Sequence, residues 1–240
     1  MGDIFTFKRV ETKYRLSAVE YAALRERLAP YIQPDAYPTA TICSEYLDTP
    51  DFRIIRASMM GGAYREKLRL RSYNTPGEET RVFLELKKKF KGTVYKRREG
   101  MTYAEARAYI AGAPPPRDTQ IMRELDYAMN FYERPRPSLL LAYEREAFVL
   151  KENRRVRVTF DTGIRYRADD LHLSSGTHGT PILPEGEYIM EIKSDGGMPL
   201  FLVHLLDECR IYPTRFSKYK TAYLDFLHKK NQREGECTYV

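Results

Sequence analysis

Cationic and apolar residues alternate along the segment from Arg65 to Arg71, where every second residue is Arg or Lys and where Leu68 and Leu70 lie between them. Successive side chains of a β-strand point to opposite faces, so this alternation predicts a strand with one cationic face and one apolar face. The same alternation recurs in four other segments, residues 9–14, 81–89, 155–161 and 188–193. Several charged strand faces in one chain favour a sheet that binds an anion.

The alternative interpretation is an ordinary antiparallel sheet with one solvated face and one face on the core. A solvated face usually mixes both signs of charge with Ser and Thr, whereas Arg and Lys dominate here, and like charges directly opposite each other across strands cost free energy. Closing the sheet into a barrel would place the cations in a lumen, where binding an anion gains more than it does in water. We therefore predict an α+β fold, a closed antiparallel β-barrel with a charged lumen whose outer apolar faces are covered by flanking helices.

The composition is that of a folded, basic protein. A chain of 240 residues, of which 42% are hydrophobic and 30% charged, suits one domain with a substantial core, and we predict a single domain over residues 1–240. The net charge of +7 favours phosphate-rich partners, which brings in nucleic acid as a candidate. The 19 tyrosines could stack on bases, but most lie beside predicted core positions, so nucleic acid is not favoured.

The cysteines and the apolar segments bear on the cellular compartment. Cys43, Cys209 and Cys237 are widely spaced and form no C-x-x-C pair, which argues against a zinc knuckle or a disulfide framework and favours a reducing compartment. No leader-like apolar segment follows the N-terminus, and no stretch approaches the ~20 apolar residues of a membrane span. We predict a cytoplasmic protein without a membrane span, and the sequence carries no signal for a membrane-protein partner.

Turn and capping signals divide the chain into strands and helices. Ser17 and Thr102 each have a glutamate three residues later, which is the capping-box pattern of a helix start. The two helices so predicted end near Pro30 and Ile110. Further helices are predicted over residues 118–131, 198–209 and 217–229, and further strands over residues 41–47, 94–98 and 138–150.

Two segments have less regular patterns. Residues 52–59 fit either a strand or a short helix. Residues 168–186 form a long loop rich in Ser, Gly, Thr and Pro, and a connection of this length is often mobile or functional. We regard this loop as a candidate lid.

Three glutamates, Glu11, Glu85 and Glu191, each stand two residues before a lysine, so that within each pair both side chains point to the same face of a strand. Simple salt bridges are one explanation of these pairs. The other is that at least one of the glutamates binds a divalent cation, and Mg²⁺ or Mn²⁺ suits an oxygen site that shares its ion with phosphates.

The last predicted helix begins at Ser217-Lys218-Tyr219. Free backbone N–H groups and the positive end of the helix dipole favour an anion there, and Lys218 and Lys220 would extend such a site, whereas ordinary N-capping by Ser217 is the simpler alternative. The four histidines show no ligand spacing, and no G-x-S-x-G or Walker A motif is present. Catalysis by a nucleophilic Ser or Cys is therefore not supported.

Taken in order, these segments resemble the polyphosphate polymerase domain of the vacuolar transporter chaperone (VTC) complex, within the triphosphate tunnel metalloenzyme superfamily. The resemblance runs from about Arg9 to Leu227. The segments that carry it are Arg9–Tyr14, Tyr46–Pro50, Lys67–Arg71, Phe83–Lys87, Lys96–Arg98, Tyr143–Arg145, Arg157–Asp161, Glu191–Lys193 and Phe216–Tyr219.

This resemblance implies an eight-stranded tunnel that binds ATP and polyphosphate, transfers the γ-phosphoryl group of ATP to a terminal phosphate of the polymer, and releases ADP. It also implies that Glu191 binds the metal and that Lys218 is tied to catalysis. The positions that match triphosphate-binding residues of the family are Lys13, Arg69, Arg71, Lys87, Lys96, Arg145 and Arg157. From the charge pattern we add as substrate-binding candidates Lys67, Lys193, Ser217 and Lys220, and as metal-ligand candidates Glu11 and Glu85.

One departure from the wider superfamily bears on the reaction. Hydrolytic members typically begin with a Glu-x-Glu-x-Lys strand, whereas this chain has Arg9-x-Glu11-x-Lys13. Fewer carboxylates should weaken a second metal site and the activation of water, so we expect transfer to phosphate. A tripolyphosphatase or nucleoside triphosphatase on the same fold and a non-catalytic polyphosphate-binding module are the alternatives. The regulatory SPX domain and membrane helices of the eukaryotic complex have no counterpart here, so we expect a free-standing catalytic module.

Overall fold

Strands and helices follow one another along a computed structural model that describes residues 9–91 and 93–236. The strands are β1 (Arg9–Leu16), β2 (Ile32–Asp48), β3 (Tyr64–Tyr73), β4 (Arg81–Phe90), β5 (Thr93–Thr102), β6 (Arg136–Leu150), β7 (Arg157–Arg167), β8 (Thr180–Pro181) and β9 (Tyr188–Asp195). The helices are α1 (Ala18–Leu28), α2 (Arg53–Met59), α3 (Tyr103–Ile110), α4 (Gln120–Phe131), α5 (Leu200–Glu208) and α6 (Lys218–Glu236).

The predicted helix starts are confirmed in detail. Ser17 and Thr102 each accept a hydrogen bond from the backbone N–H three residues on, and the glutamate at that position accepts one in return from the backbone N–H of the capping residue. Residues 52–59, which fitted either a strand or a helix, contain helix α2. Cys237 lies outside the described residues.

The sheet is open, and the prediction of a closed eight-stranded barrel with a lumen is wrong. Nine strands form one sheet in the order β1-β9-β7-β6-β2-β3-β4-β5, and the short β8 pairs with β7. Within residues 9–91 and 93–236, β1 and β5 end this path and are not paired with each other. A barrel closes only when its two edge strands share a hydrogen-bond ladder. Strand β5 instead carries Lys96, Arg97 and Arg98, and charged side chains are typical of an unpaired edge.

The chain divides into two compact units. The first comprises residues 1–40, 143–164 and 183–217, and the second comprises residues 41–142, 165–182 and 218–240. Strands β2, β6 and β7 contribute residues to both units. The prediction of a single domain stays a prediction.

In the second unit, helices α3 and α4 cover the apolar face of β3 and β4. Leu68, Leu70, Leu84 and Leu86 are buried in one cluster, and the helix residues in that cluster are Tyr103, Ala106, Tyr109, Met122, Leu125, Ala128 and Met129. Burying one leucine side chain contributes roughly 1.5–3 kcal/mol, so the four strand leucines hold these helices firmly on this face. The alternate residues of both strands, which include the predicted cations, consequently lie on the other face.

In the first unit, α1 and α5 cover the apolar face of β1, β7 and β9 in the same way. Leu16, Val158 and Ile192 from the strands pack in one buried cluster with Leu24 of α1 and Leu202 of α5. The helical cover predicted for the apolar strand faces is therefore present in both units.

The candidate lid, residues 168–186, is anchored to the second unit through residues 170–181. The guanidinium of the buried Arg167 donates hydrogen bonds to four backbone oxygens of this loop, those of Asp170, His172, Gly176 and His178. Leu173 is fully buried, and Thr180–Pro181 pair with β7 as strand β8. These contacts hold residues 170–181 against the sheet, and a lid role for the loop stays a prediction.

Candidate anion-binding site

Three lysines stand side by side on the cationic face of the second unit. Lys67 of β3 is directly opposite Lys87 of β4, and Lys87 is directly opposite Lys96 of β5. Directly opposed like charges destabilise a sheet. A phosphate group placed over this row would relieve their repulsion, which makes the row a candidate phosphate site.

The neighbouring row on this face is organised around a buried glutamate. Tyr46, Arg69, Glu85 and Arg98 are successive cross-strand neighbours. The Glu85 carboxylate is 1% exposed and accepts hydrogen bonds from Nε and Nη2 of Arg69 at 2.8 and 2.6 Å and from Nε of Arg98 at 2.6 Å. Lys96 Nζ lies 2.8 Å from the same carboxylate. Glu85 therefore fixes the positions of three cations.

The electrostatic balance of this face follows from these contacts. Burial would raise the pKa of Glu85, but the charges of Arg69, Arg71 and Lys96 outweigh it and hold the pKa far below its usual range. Burial lowers the pKa of Lys96 to about 8, against the opposing attraction of Glu85. Glu85 is thus ionised at neutral pH and acts as the counter-ion of the cluster.

Tyr46 completes this row, although the sequence pattern did not mark it as a site residue. Its hydroxyl accepts a hydrogen bond from Nη1 of Arg69 at 3.2 Å. Burial opposes ionisation, but the charges of Arg69, Lys67 and Arg71 lower the pKa of Tyr46 to about 8. The sequence feature that could have identified Tyr46 is its position two residues before Asp48, which places both side chains on the same face of the strand.

Arg71 belongs to a third row, next to that of Glu85. It is 7% exposed, is opposite Ser44 of β2 and Phe83 of β4, and donates a hydrogen bond from Nε to Ser44 Oγ at 3.1 Å. This bond orients the guanidinium across the face. Arg71 thereby lies beside the Glu85 cluster, and its role as a substrate-binding residue stays a prediction.

Helix α6 is attached to β2 close to its first residue, Lys218. The ring of Tyr219 stacks on that of Tyr46, and the Tyr219 hydroxyl donates a hydrogen bond to Oδ2 of Asp48 at 3.0 Å. Asp48 also accepts hydrogen bonds from the backbone N–H groups of Ile54 and Ile55 at the start of α2. These contacts fix the start of α6, where Lys218 is half-buried and Lys220 exposed.

A second group of predicted residues meets in the first unit. Lys13 of β1 is opposite Glu191 of β9, which is opposite Thr159 of β7, and the adjacent row contains Glu11, Lys193 and Arg157. Glu191 is 6% exposed, and its carboxylate lies 3.3 Å from Lys13 Nζ and 3.0 Å from Lys193 Nζ. Glu11 lies 3.5 Å from Lys13 Nζ.

Two aspartates that were not predicted as site residues hold the arginines of this unit. Asp161, fully buried, receives two hydrogen bonds from Arg145, at 2.6 and 2.7 Å, and Asp35 lies 2.7 Å from Nε of Arg157. Arg145 also lies 3.8 Å from Glu191. The alternation in the sequence predicted that Arg157 and Asp161 share the charged face of β7. It did not predict that Asp161 pairs with Arg145.

The predicted site residues thus fall into two groups. The second unit contains Lys67, Arg69, Arg71, Glu85, Lys87, Lys96, Lys218 and Lys220. The first unit contains Glu11, Lys13, Arg145, Arg157, Glu191, Lys193 and Ser217, the half-buried residue before α6.

The family resemblance implies a divalent cation, and the donors of the first unit fit one that shares its ligands with phosphates. No group of three or more His, Cys, Asp or Glu residues that could hold a metal occurs in the described part of the chain, so a closed protein cage is not formed there. Glu191 and Glu11 supply carboxylate oxygens, and the Thr159 hydroxyl opposite Glu191 is buried without a hydrogen-bond partner. Mg²⁺ is commonly bound by one or two carboxylates together with substrate phosphates.

Glu85, the third predicted metal ligand, belongs to the other unit and is surrounded by cations. Its ion pairs with Arg69, Lys96 and Arg98 make it a counter-ion of this cluster.

None of the helices in residues 9–91 and 93–236 combines the length and the apolar character needed to cross a bilayer.

Comparison with known proteins gives one family and a shared fold. The family model described as the VTC domain matches residues 8–227. A "putative adenylate cyclase" from Bacillus halodurans superposes with a TM-score of 0.56 at 14% identity, covering 87% of this chain and 93% of that one. A "putative adenylyl cyclase" from Hippeastrum with a dominant triphosphatase activity superposes with a TM-score of 0.54 at 15% identity, covering 90% and 96%. At these identities the two structures establish the fold alone. Among curated proteins, none matches this chain by sequence.

Proposed function

Because this chain belongs to the VTC domain family, we propose that it is a metal-dependent polyphosphate polymerase, which transfers the γ-phosphoryl group of ATP to the end of a polyphosphate chain and releases ADP. Transfer of a phosphoryl group depends mainly on alignment of the reactants and on stabilisation of charge. The cationic rows of the second unit supply both. Lys67, Lys87 and Lys96 supply positive charge for phosphate oxygens, and Arg69 and Arg71 have the planar shape that can bind two oxygens at once.

The observation that carries the choice of transfer over hydrolysis is the pairing of the carboxylates in the first unit. Glu191 contacts two lysines, Asp161 is bound by Arg145, and Glu11 contacts Lys13. A carboxylate held by cations is a weak base, because the charged form is stabilised. Water needs a base or a strongly activating metal to attack phosphorus, whereas the terminal oxygen of polyphosphate is already ionised. The site therefore favours an acceptor that brings its own negative charge.

The remaining roles follow from position and charge. Glu191, with Glu11, would hold the divalent cation, which neutralises charge on the phosphates when bound. Lys218, the first residue of α6, is proposed as the catalytic residue, whose ammonium group stabilises the oxygens of the transferring phosphoryl group. Ser217 and Lys220, which flank Lys218 in the sequence, are proposed to bind phosphates of the polymer. In the first unit, Lys13, Lys193, Arg145 and Arg157 are likewise proposed to bind phosphates.

The test is product analysis after incubation with ATP and Mn²⁺. The expected products are ADP and long polyphosphate, and Lys218→Ala should suppress both while leaving ATP bound. Lys229→Ala is the matched control, because Lys229 lies on the same helix and pairs with Asp225. Orthophosphate as the sole product besides ADP would overturn the proposal.

A second candidate is a tripolyphosphatase or nucleoside triphosphatase, which the fold shared with the Hippeastrum protein favours. The same product analysis separates the two, since hydrolysis yields orthophosphate and no polymer. The cytoplasmic location, and ATP and polyphosphate as partners, stay predictions.

A further inference from the structure

The charged face of the second unit changes character toward one end of its strands. Tyr73 ends β3, and its ring meets that of Phe83 edge-on, with centroids 5.9 Å apart. The guanidinium of Arg98 lies 4.2 Å from the centroid of the Phe83 ring, and that of Arg81 lies 5.5 Å from it. Two aromatic rings and two guanidinium groups thus form one cluster, called here the aromatic–arginine cluster.

Gly100 shapes this cluster from the neighbouring strand. It lies opposite Phe83 in the register of β4 and β5. A Cβ atom at this position would lie only 2.7 Å from Nε and 2.8 Å from Nη2 of Arg81. The Arg81 guanidinium therefore packs directly against the backbone of β5, although the residue is exposed.

The hydroxyl of Tyr73 is held as well, since it accepts a hydrogen bond from Nη2 of Arg98 at 2.8 Å. The residue nevertheless remains 41% exposed. A ring fixed at its hydroxyl and open over part of its surface offers a ready stacking platform, because little conformational freedom is lost on binding. Aromatic rings and guanidinium planes are the side-chain groups on which nucleic-acid bases stack.

The cluster adjoins the phosphate-binding rows. Phe83 is directly opposite Arg71, and Arg98 is shared with the Glu85 row. Tyr73 is four residues from Arg69 along β3, a separation of about 13 Å in an extended strand. A ligand that places a flat ring on Tyr73 and phosphates on Arg71, Arg69 and the lysine row would follow this face.

We propose that the aromatic–arginine cluster binds the base of the nucleotide donor, and so makes the protein select a nucleoside triphosphate over inorganic tripolyphosphate. The inference rests on the proposed function, in which ATP is the donor, and it adds the site that recognises the nucleoside end. Selectivity arises because inorganic tripolyphosphate occupies only the cationic rows and gains nothing from the cluster.

The experiment measures, by titration calorimetry with Mn²⁺ present, the Kd of a non-hydrolysable ATP analogue and of tripolyphosphate. Stacking on one aromatic ring contributes about 1–3 kcal/mol, so Tyr73→Ala should weaken binding of the analogue by about 5- to 150-fold. Binding of tripolyphosphate should change less than twofold. Tyr73→Phe keeps the ring and should stay within about threefold of the wild type. Tyr127→Ala, at an exposed tyrosine of α4 outside the cluster, is the control.

Gly100→Ala gives a second, independent variant that leaves Tyr73 intact and displaces the Arg81 guanidinium. It should also weaken binding of the ATP analogue more than binding of tripolyphosphate. The proposed base site would be overturned if these variants weakened binding of the ATP analogue and of tripolyphosphate equally, or weakened binding of neither. The proposed function would still stand. If Tyr73→Phe bound the analogue as weakly as Tyr73→Ala does, the proposed base site would also be overturned, because stacking on the ring would then not explain the loss of affinity. Failure of the wild type to bind either ligand would instead refute the proposed function.

Discussion

The ring of Tyr46 stacks on the ring of Tyr219, with centroids 3.9 Å apart and planes within 8° of parallel. Each hydroxyl has its own partner, since that of Tyr46 accepts from Arg69 and that of Tyr219 donates to Asp48. One stacked pair thus connects an arginine of the cationic face to the start of the helix that carries Lys218. The arginine cluster and the proposed catalytic lysine are therefore positioned by the same contact.

The Tyr219 hydroxyl should contribute to stability. Tyr219→Phe keeps the stacked ring but removes the hydrogen bonds to Asp48 and to Ser138 Oγ, 3.1 Å away. Asp48 retains its backbone donors, so we expect a loss of about 1–2 kcal/mol in the free energy of unfolding. Urea denaturation measures it. Tyr127→Phe, at a tyrosine that is 69% exposed, should change stability by less than about 0.5 kcal/mol. Equal effects of the two substitutions would contradict this role.

Affinity for phosphates should fall as the pH rises through about 8, the pKa of both Tyr46 and Lys96. Above this pH Tyr46 gains a negative charge and Lys96 loses a positive one, and both changes weaken the attraction for an anion. We expect the Kd of tripolyphosphate, measured by titration calorimetry, to rise at least fivefold between pH 7 and pH 9.

Conservative variants separate the two groups. Tyr46→Phe removes the ionisable hydroxyl but keeps the stacked ring, and Lys96→Arg keeps the positive charge above pH 9. Each variant should reduce the rise in the Kd of tripolyphosphate between pH 7 and pH 9, and the double variant should remove most of that rise. A profile that is unchanged in the double variant would show that neither group controls binding.

Glu85→Gln should destabilise the protein because it leaves Arg69, Lys96 and Arg98 without their common counter-ion. Removing one member of a buried ion cluster costs about 3 kcal/mol. The pKa of Glu85 is depressed in the folded protein, so its ionic contribution is fully present above the unfolded pKa of about 4.3 and is lost progressively as the pH falls from there through the depressed folded pKa.

Urea denaturation at pH 7 and at pH 4 measures this contribution. The difference in stability between the wild type and Glu85→Gln should be smaller at pH 4. Glu185→Gln, at an exposed glutamate, is the matched control and should have little effect at either pH. A difference that did not decrease toward pH 4 would assign the loss to packing instead of charge.

The sequence predicted the local structure of this fold better than its closure. Alternation along residues 65–71 located β3 and its cationic face, and the leucines between the cations pack under α3 and α4 as expected. The first half of β2 was missed, since Pro34 and Pro38 interrupt the pattern of a strand. Closure was predicted wrongly because it depends on pairing between the two edge strands, and neither the alternation nor the turn signals report on that pairing.

The site shows the same limit. Positions on one strand, such as Arg69 and Arg71, follow from side-chain alternation. The grouping of Glu85 with Arg98 depends on cross-strand register, and the stacking of Tyr46 on Tyr219 joins residues 173 positions apart in the sequence. Such contacts arise from tertiary packing, which no local pattern encodes.

Glu191 should bind a divalent cation only when phosphates are present. Its carboxylate already faces Lys13 and Lys193, and their charges oppose a metal until a triphosphate engages them. Titration calorimetry should therefore detect Mn²⁺ binding in the presence of tripolyphosphate and at least tenfold weaker binding without it. Glu191→Gln should weaken the metal-dependent part of binding at least tenfold and leave metal-free binding of tripolyphosphate equal or tighter, since a negative charge is removed. Glu185→Gln should change neither, and tight Mn²⁺ binding by the free wild type would contradict this account.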